Sequence, residues 1–540
     1  MGLGARVTFG LAALTAGLIA LIYVNAAFGD APIYPGAETG HMIRALYGPA
    51  AGHAQLGLGA ADDTAFSLII RGLTYLTQSL VPWLRLVGGA AYLGGLLLVF
   101  QAVRQNLAPG PALGFLLLAL AYPFHRFAFA TLPEGWYVAA LGAAVLLTAR
   151  TYLTQPLIHG LAAGGLAAAL TLLKPQGLAV AGAFVLLAVF DLTLGRRSLR
   201  TFVGRLVSLA VGFLVAANGI HLFAEGSVAA HPFSFYLAER HRPFVDGAIG
   251  PLGWIAAARG LAAMISGAVL LAAVPAVTGL LRIEFRWLWT RRQGRFALEP
   301  QETIFLFVLL CLVLTIPLTA ALATSGDPDR IWGRQFEALV PMLWLAAAPF
   351  IIEFENGGGR RWRWVMAGAP IVGLAGLAIC LLDGTTPLAR DAAALSAFMP
   401  PYFPAAAGLI FAAGLAIVFT RWPVWRMWLA LFVGLAAVAT ASDLAWRANE
   451  STRRSQMSAE LTAADAIVSQ RRGEVIVLAP NAVDARVAYL KLRARPDAVT
   501  TLPAEPRLAM ADTAVAMGPI APAGLWRVIF RGETVTIFAR

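Results

Sequence analysis

Apolar residues along this chain come in long blocks broken by short polar segments. Val7–Ala27, Leu206–Phe223, Leu261–Leu281 and Ile304–Leu322 are clear cases. Each approaches or exceeds the roughly 18–20 residues that carry a helix across a hydrocarbon core. Lipid offers the backbone no hydrogen-bond partner, so a spanning segment is a helix or part of a closed barrel. The blocks lack the period-two alternation of barrel strands, which leaves helices. The pattern predicts spans at 7–27, 83–100, 112–124, 135–149, 157–173, 178–191, 206–224, 261–281, 303–322, 338–352, 364–382, 404–420 and 427–442. The expected fold class is an all-α polytopic membrane protein with about 13 transmembrane helices. The first block is long for the apolar core of a secretory signal, and it reads as an uncleaved helix.

From about Asp443 the pattern changes. The segment 455–470 is amphipathic and helical, Glu474–Pro480 (EVIVLAP) reads as a buried strand, 482–493 as a helix and 513–517 as a strand. Trp526–Arg531 and Thr534–Phe538, separated by Gly532–Glu533, read as a closing hairpin. Two domains follow. Residues 1–442 form a transmembrane domain with a long first external loop at 28–81, and 443–540 form a small α/β domain.

Composition agrees with the pattern. Hydrophobic residues make up 59% of the 540 and charged residues 13%, against about a quarter charged in soluble domains. Such a chain could not cover its own surface in water. The net charge of +12 does not mark a nucleic-acid partner, because the arginines punctuate the apolar blocks and form no basic face. They cluster at Arg104, Arg150, Arg196 to Arg205, Arg282 to Arg295, Arg360 to Arg363 and Arg421 to Arg426. Placing all of these in the cytoplasm gives one consistent path. With an odd span count, residues beyond 443 lie outside a bacterial inner membrane. Cys311 and Cys380 sit inside apolar blocks, so neither a disulfide framework nor a zinc site is expected. No phosphate-binding or dinucleotide glycine motif is present, and neither metal nor cofactor is expected.

On this path the polar residues concentrate in the external loops, where membrane-embedded sites keep their chemistry. The first loop opens GDAPIYPGAETGHMIRALYG and carries Asp30, Glu38, Asp62 and Asp63. A carboxylate at the membrane surface can deprotonate an acceptor hydroxyl, although loop aspartates are also common turn formers. Arg126 and Glu134 lie in the second loop, and Lys174-Pro175-Gln176 forms a tight turn. His231, His241 and Arg242 fall in the fourth loop, and Arg330 and Arg334 in the fifth. Guanidinium groups pair well with phosphate, and imidazole can assist proton transfer. Lys174 and Lys491 are the only lysines. A lysine at a helix end stopped by proline can reach a lipid-linked phosphate as a point charge, or it can merely snorkel.

Three stretches carry a family resemblance. Asp30-x-x-x-Tyr34, followed by Ala45-Leu46-Tyr47-Gly48, resembles the first external loop of GT-C membrane glycosyltransferases, nearest the bacterial polyprenol-phosphate-mannose-dependent mannosyltransferases. Leu132-Pro133-Glu134 is similar to the second acidic motif of that superfamily, and Leu172-Leu173-Lys174-Pro175-Gln176 resembles the KP turn of the mannosyltransferase type. The aromatic-Pro-Pro stretch usual after the first loop is missing, and Ala61-Asp62-Asp63-Thr64 stands in its place. The resemblance covers about the first 200 residues. It implies a GT-C-like fold and transfer of a sugar from a polyprenyl-phosphate donor to an extracytoplasmic glycan, lipid or protein acceptor, at the lipid bilayer. It implies Asp30 as catalytic base, with Glu38 second. Lys174, Arg126, Arg330 and Arg334 are the expected donor-phosphate ligands. Tyr34, Glu134, His231, His241 and Arg242 are the expected substrate contacts. The alternatives are a transporter or flippase of a lipid-linked glycan, which would show related halves and mid-membrane charges, and a non-catalytic membrane scaffold.

Overall fold

The computed structural model describes residues 17, 35–47, 64–77, 80–193, 198–225, 251–291, 298–323, 330–357, 359–388, 390–420, 422–471, 473–480, 482–492, 498–500, 511–522 and 524–540. Asp30, Tyr34, Asp62, Asp63, His231, His241 and Arg242, and nearly all of the 7–27 span, lie outside the described residues.

Each expected span from 83–100 onward overlaps one helix. In order these are Leu80–Val103, Pro109–Ala121, Glu134–Thr151, Pro156–Leu173, Gly177–Thr193, Leu199–Glu225, Pro251–Arg291, Pro300–Ala323, Leu339–Gly357, Gly359–Leu382, Phe403–Phe419 and Val424–Val468. Among the described residues, eight helices are long and apolar enough to cross a membrane. Pro109–Ala121, Gly177–Thr193 and Phe403–Phe419 are apolar but shorter than a full crossing. Prolines open several helices at a position whose missing N–H costs nothing. Small residues set the close contacts, as expected where lipid supplies no hydrophobic drive between helices. A Cβ on Gly135 would collide with the Gly88 carbonyl oxygen, so the helix that begins at Glu134 can lie directly on Leu80–Val103.

Two helices outrun their expected spans. Pro251–Arg291 has 41 residues and Val424–Val468 has 45. The second joins the last expected span to the amphipathic segment that reads separately in sequence. Asp443–Glu460 contains neither glycine nor proline to stop it.

Contacts divide the chain into two compact units, Met1–Gly29 with Asp62–Ala65 and Val81–Asp443, and Asp30–Ala61 with Phe66–Leu80 and Leu444–Arg540. The grouping draws most of the first loop together with the C-terminal region, whereas the apolar pattern divides the chain once near 442. Within the second unit, a five-stranded sheet comprises β1 (Val475–Leu478), β2 (Ala498–Thr500), β3 (Thr513–Met517), β4 (Arg527–Arg531) and β5 (Val535–Ala539), in the order β2-β1-β3-β5-β4. β1 pairs in parallel with β2 and β3, and β5 antiparallel with β3 and β4. β2 is the strand the pattern does not reveal, because three residues flanked by polar and proline-rich stretches carry no alternation to read.

Alternation sorts the sheet's side chains onto two faces. Val475, Val477, Val515, Met517, Val535 and Ile537 share a core with Leu461, Val468, Ala485 and Ala488 from two helices and with Leu492 just past the second. Ile43 of the Pro35–Tyr47 helix completes that core. The first loop is therefore not merely irregular chain: it supplies Pro35–Tyr47 and Thr64–Thr74 as helices. Arg71 Nε donates to the Ala45 carbonyl at 2.9 Å and ties the two together. Glu38 is fully buried in the first turn of Pro35–Tyr47. At the hairpin, the Glu460 carboxylate accepts backbone N–H groups of Glu533, Thr534 and Val535 at 2.9, 2.8 and 2.7 Å.

Candidate functional site

One end of the helices in the first unit gathers the polar side chains that the apolar pattern leaves over. The segments that meet there are Tyr122–Glu134, Lys174–Gln176, Arg330–Glu337 and Asp383–Phe398. The arginine distribution assigns all four to the same side of the membrane. Each is held by short local structure, including the four-residue helices His125–Ala128 and Gly333–Phe336 and the 3₁₀ turn Leu395–Phe398.

Glu134 starts its helix, where a carboxylate sits well against the positive end of the dipole. Its Oε1 receives Lys174 Nζ at 3.2 Å and lies 3.2 Å from Arg334 Nε. Two cations thus converge on one carboxylate oxygen. Lys174 is placed by the KPQ turn: it ends Pro156–Leu173 in extended conformation, its N–H closes onto Leu170 and its carbonyl accepts Gly177. Its ammonium also faces the Tyr137 ring at 5.5 Å. Burial pushes the Lys174 pKa down, against the pull of Glu134 and with the help of Arg334. The lysine is buried in contact with an acid, which is not the geometry of a chain snorkelling to water.

Arg330 and Arg334 are set by a second strip of chain. Ile331 N–H donates to Thr386 at 3.0 Å and Arg334 N–H to the Asp391 carbonyl at 2.6 Å. Arg330 Nε donates to Asp391 Oδ2 at 2.8 Å, and its guanidinium stacks 4.6 Å from the Trp332 ring. Arg126 turns inward. It donates to the Ala392 carbonyl, to Ser396 Oγ at 3.0 Å and to the Ala439 carbonyl at 3.2 Å, with Asp443 at 4.0 Å. The ring of Phe127 faces both Arg126 and Arg334, at 5.0 and 5.6 Å. His125 is buried, which pushes its pKa down to about 4, so the ring is neutral.

Of the expected site residues, the structure brings Arg126, Glu134, Lys174, Arg330 and Arg334 into this one cluster. Glu38 belongs to the second unit. Three polar members carry no signal in sequence. Glu337 and Asp391 sit in loops where isolated acids are common, and Tyr122 reads as part of an apolar span.

No family model and no curated protein matches the chain. Among solved structures, ArnT from Cupriavidus metallidurans bound to undecaprenyl phosphate aligns over 98% of this chain and 98% of that one, with TM-score 0.56 and 14% identity. The apo state of the same protein aligns over the same shares with TM-score 0.55 and 15% identity. The chain shares the GT-C-like helical fold of these two structures. At this identity the likeness is one of fold. The cluster around Glu134 occupies the loop end of the first unit's helices, where several helix termini deliver side chains to one place.

Proposed function

We propose that the protein is a membrane glycosyltransferase that takes its sugar from a polyprenyl-phosphate donor. The observation that carries the reading is the convergence of Lys174 and Arg334 on a single Glu134 oxygen. Buried Lys174 and partly buried Arg334 against one carboxylate oxygen leave a local excess of positive charge at Glu134, and a phosphate is a ligand such a spot attracts. The shared fold with a protein solved bound to undecaprenyl phosphate supports the same donor class.

In the proposed reaction Lys174 and Arg334 hold the donor phosphate. Asp30, assigned by the family resemblance, removes the proton from the acceptor hydroxyl as its oxygen attacks the anomeric carbon. The bond from that carbon to the phosphate oxygen breaks, and polyprenyl phosphate leaves with its new negative charge facing the two cations. Preorganised positive charge at the leaving oxygen is worth more in a dry site than in water. Arg330 and Arg126 shape the loops that present Arg334. Tyr34, Glu134, His231, His241 and Arg242 are the proposed substrate contacts, and Glu38 is the second choice of base. The acceptor is an extracytoplasmic glycan, lipid or protein. A hexose of the mannosyl type follows from the KP-turn resemblance. The proposed setting is a bacterial inner membrane with the C-terminal domain outside.

The test titrates undecaprenyl phosphate into the purified full-length protein in detergent micelles. A charge-assisted hydrogen bond contributes about 1.5–3 kcal/mol, so Lys174→Ala and Arg334→Ala should each weaken binding about 10- to 100-fold. Binding equal to wild type in both variants would overturn the donor-phosphate assignment. Asp30→Asn should bind the lipid normally and lose about 10²–10⁴-fold in transfer rate. Wild-type transfer by that variant would remove Asp30 as base.

A further inference from the structure

Glu337 is a fully buried carboxylate that grips two other stretches of chain. Its Oε2 accepts the Tyr122 hydroxyl at 2.8 Å and the Ala394 N–H, and its Oε1 accepts the Ala393 N–H at 3.0 Å. Its own segment carries Arg330 and Arg334. Two residues before Ala393 stands Asp391, whose side chain takes Arg330 and whose carbonyl takes the Arg334 N–H. The Asp391 strip is thus held at one edge by the arginine segment and at the next by Glu337. Gly333 fits this arrangement, since a Cβ there would collide with Glu337 Oε1. Burial pushes the Glu337 carboxyl up, and the bonds from Tyr122, Ala394 and Ala393, together with the charge of Arg126, oppose that rise.

We propose that Glu337 is the positioning residue of the phosphate site, clamping residues 391–394 against 330–337 so that Arg334 is aimed at the donor beside Lys174. The inference rests on the donor-phosphate reading above. Only an acceptor-only group suits three converging donors. Glu337→Gln keeps the volume and one acceptor oxygen, but sets an NH₂ among N–H and O–H donors and loosens the clamp. Glu337 acts through Arg334, so its effect on phosphate affinity should vanish when Arg334 is absent, which a merely structural carboxylate would not show.

The experiment is a double-mutant cycle with undecaprenyl phosphate in detergent micelles, using full-length wild type, Glu337→Gln, Arg334→Ala and the double variant. Glu337→Gln should weaken binding about 10-fold, while the double variant should bind no more weakly than Arg334→Ala alone. Glu337→Gln binding as wild type would overturn the proposal, and so would a loss that adds in full to that of Arg334→Ala. Should Glu337→Gln fail to fold, Tyr122→Phe removes one of the three donors and enters the same cycle. Its expected loss is about threefold in the wild-type background and absent beside Arg334→Ala; an additive loss overturns the inference. The donor reading fails separately, through a wild type that does not bind the lipid or an Arg334→Ala that binds it as wild type does.

Discussion

The two ends of the helices in the first unit use charge in opposite ways. At the end that carries Glu134, acids are shared: one carboxylate oxygen meets Lys174 and Arg334, and Glu337 accepts three donors. At the other end the arginines serve helix termini and nearby acids, and Arg286 meets both Glu299 and Glu302. Arg205 donates to the Tyr152 carbonyl at 2.7 Å, just past Glu134–Thr151, with Asp191 at 3.4 Å. Arg363 donates to the carbonyls of Ile417, at 3.1 Å, Thr420 and Trp422 beyond Phe403–Phe419. Arg282 pairs with Glu353 at 2.8 Å. Cations on the last carbonyls of helices settle the dipole and the orphan acceptors. At Glu134 itself, where two cations meet one carboxylate oxygen, there is reason to receive an anion.

The strongest way to break this contrast is Glu134→Ala. It leaves buried Lys174 and partly buried Arg334 without their shared carboxylate, and removing one partner of a buried pair such as Lys174–Glu134 costs about 3–5 kcal/mol. Thermal unfolding in detergent should show a large drop. A variant that melts with wild type would mean that Lys174 and Arg334 do not depend on the shared acid.

The pH dependence of lipid binding sharpens the contrast next. Burial holds the Lys174 pKa below the ordinary lysine value of about 10.4. Between the lowered folded pKa and that value the unfolded chain binds more protons, so the lysine's contribution makes stability rise with pH in that window. Phosphate affinity runs the other way. It needs the protonated lysine and should fall as pH rises through the folded pKa, by at most about tenfold per unit. Lys174→Arg stays charged throughout and should flatten the profile. A wild-type profile already flat up to pH 10 would show that Lys174 does not titrate with the ligand.

Much of this was legible in sequence. The helices follow from apolar blocks, because lipid leaves the backbone no alternative. Lys174 stood out as one of two lysines and through its proline, and Glu134 through opening a helix. What stayed hidden depends on distance along the chain. Glu337 and Tyr122 are 215 residues apart, and nothing local to either predicts the bond. Ile43 reads as a loop residue until the helix around it joins the core of a sheet more than 400 residues on. Local patterns specify elements, and long-range pairs assemble the site.

The smallest expected effect tests the other half of the contrast. Arg363 is partly exposed, and its bonds go to backbone carbonyls at a helix end. Capping and dipole interactions of this kind contribute about 0.3–1 kcal/mol. Arg363→Gln keeps a donor but removes the charge, so the melting temperature should fall slightly and undecaprenyl phosphate binding should not change. Arg334→Ala provides the comparison, because it removes the same charged group from the opposite end and should lose affinity about 10- to 100-fold. A binding loss in Arg363→Gln as large as that in Arg334→Ala would mean that the arginines act as one general field around the protein. The specific role drawn from two cations on one carboxylate oxygen would then have no support in binding.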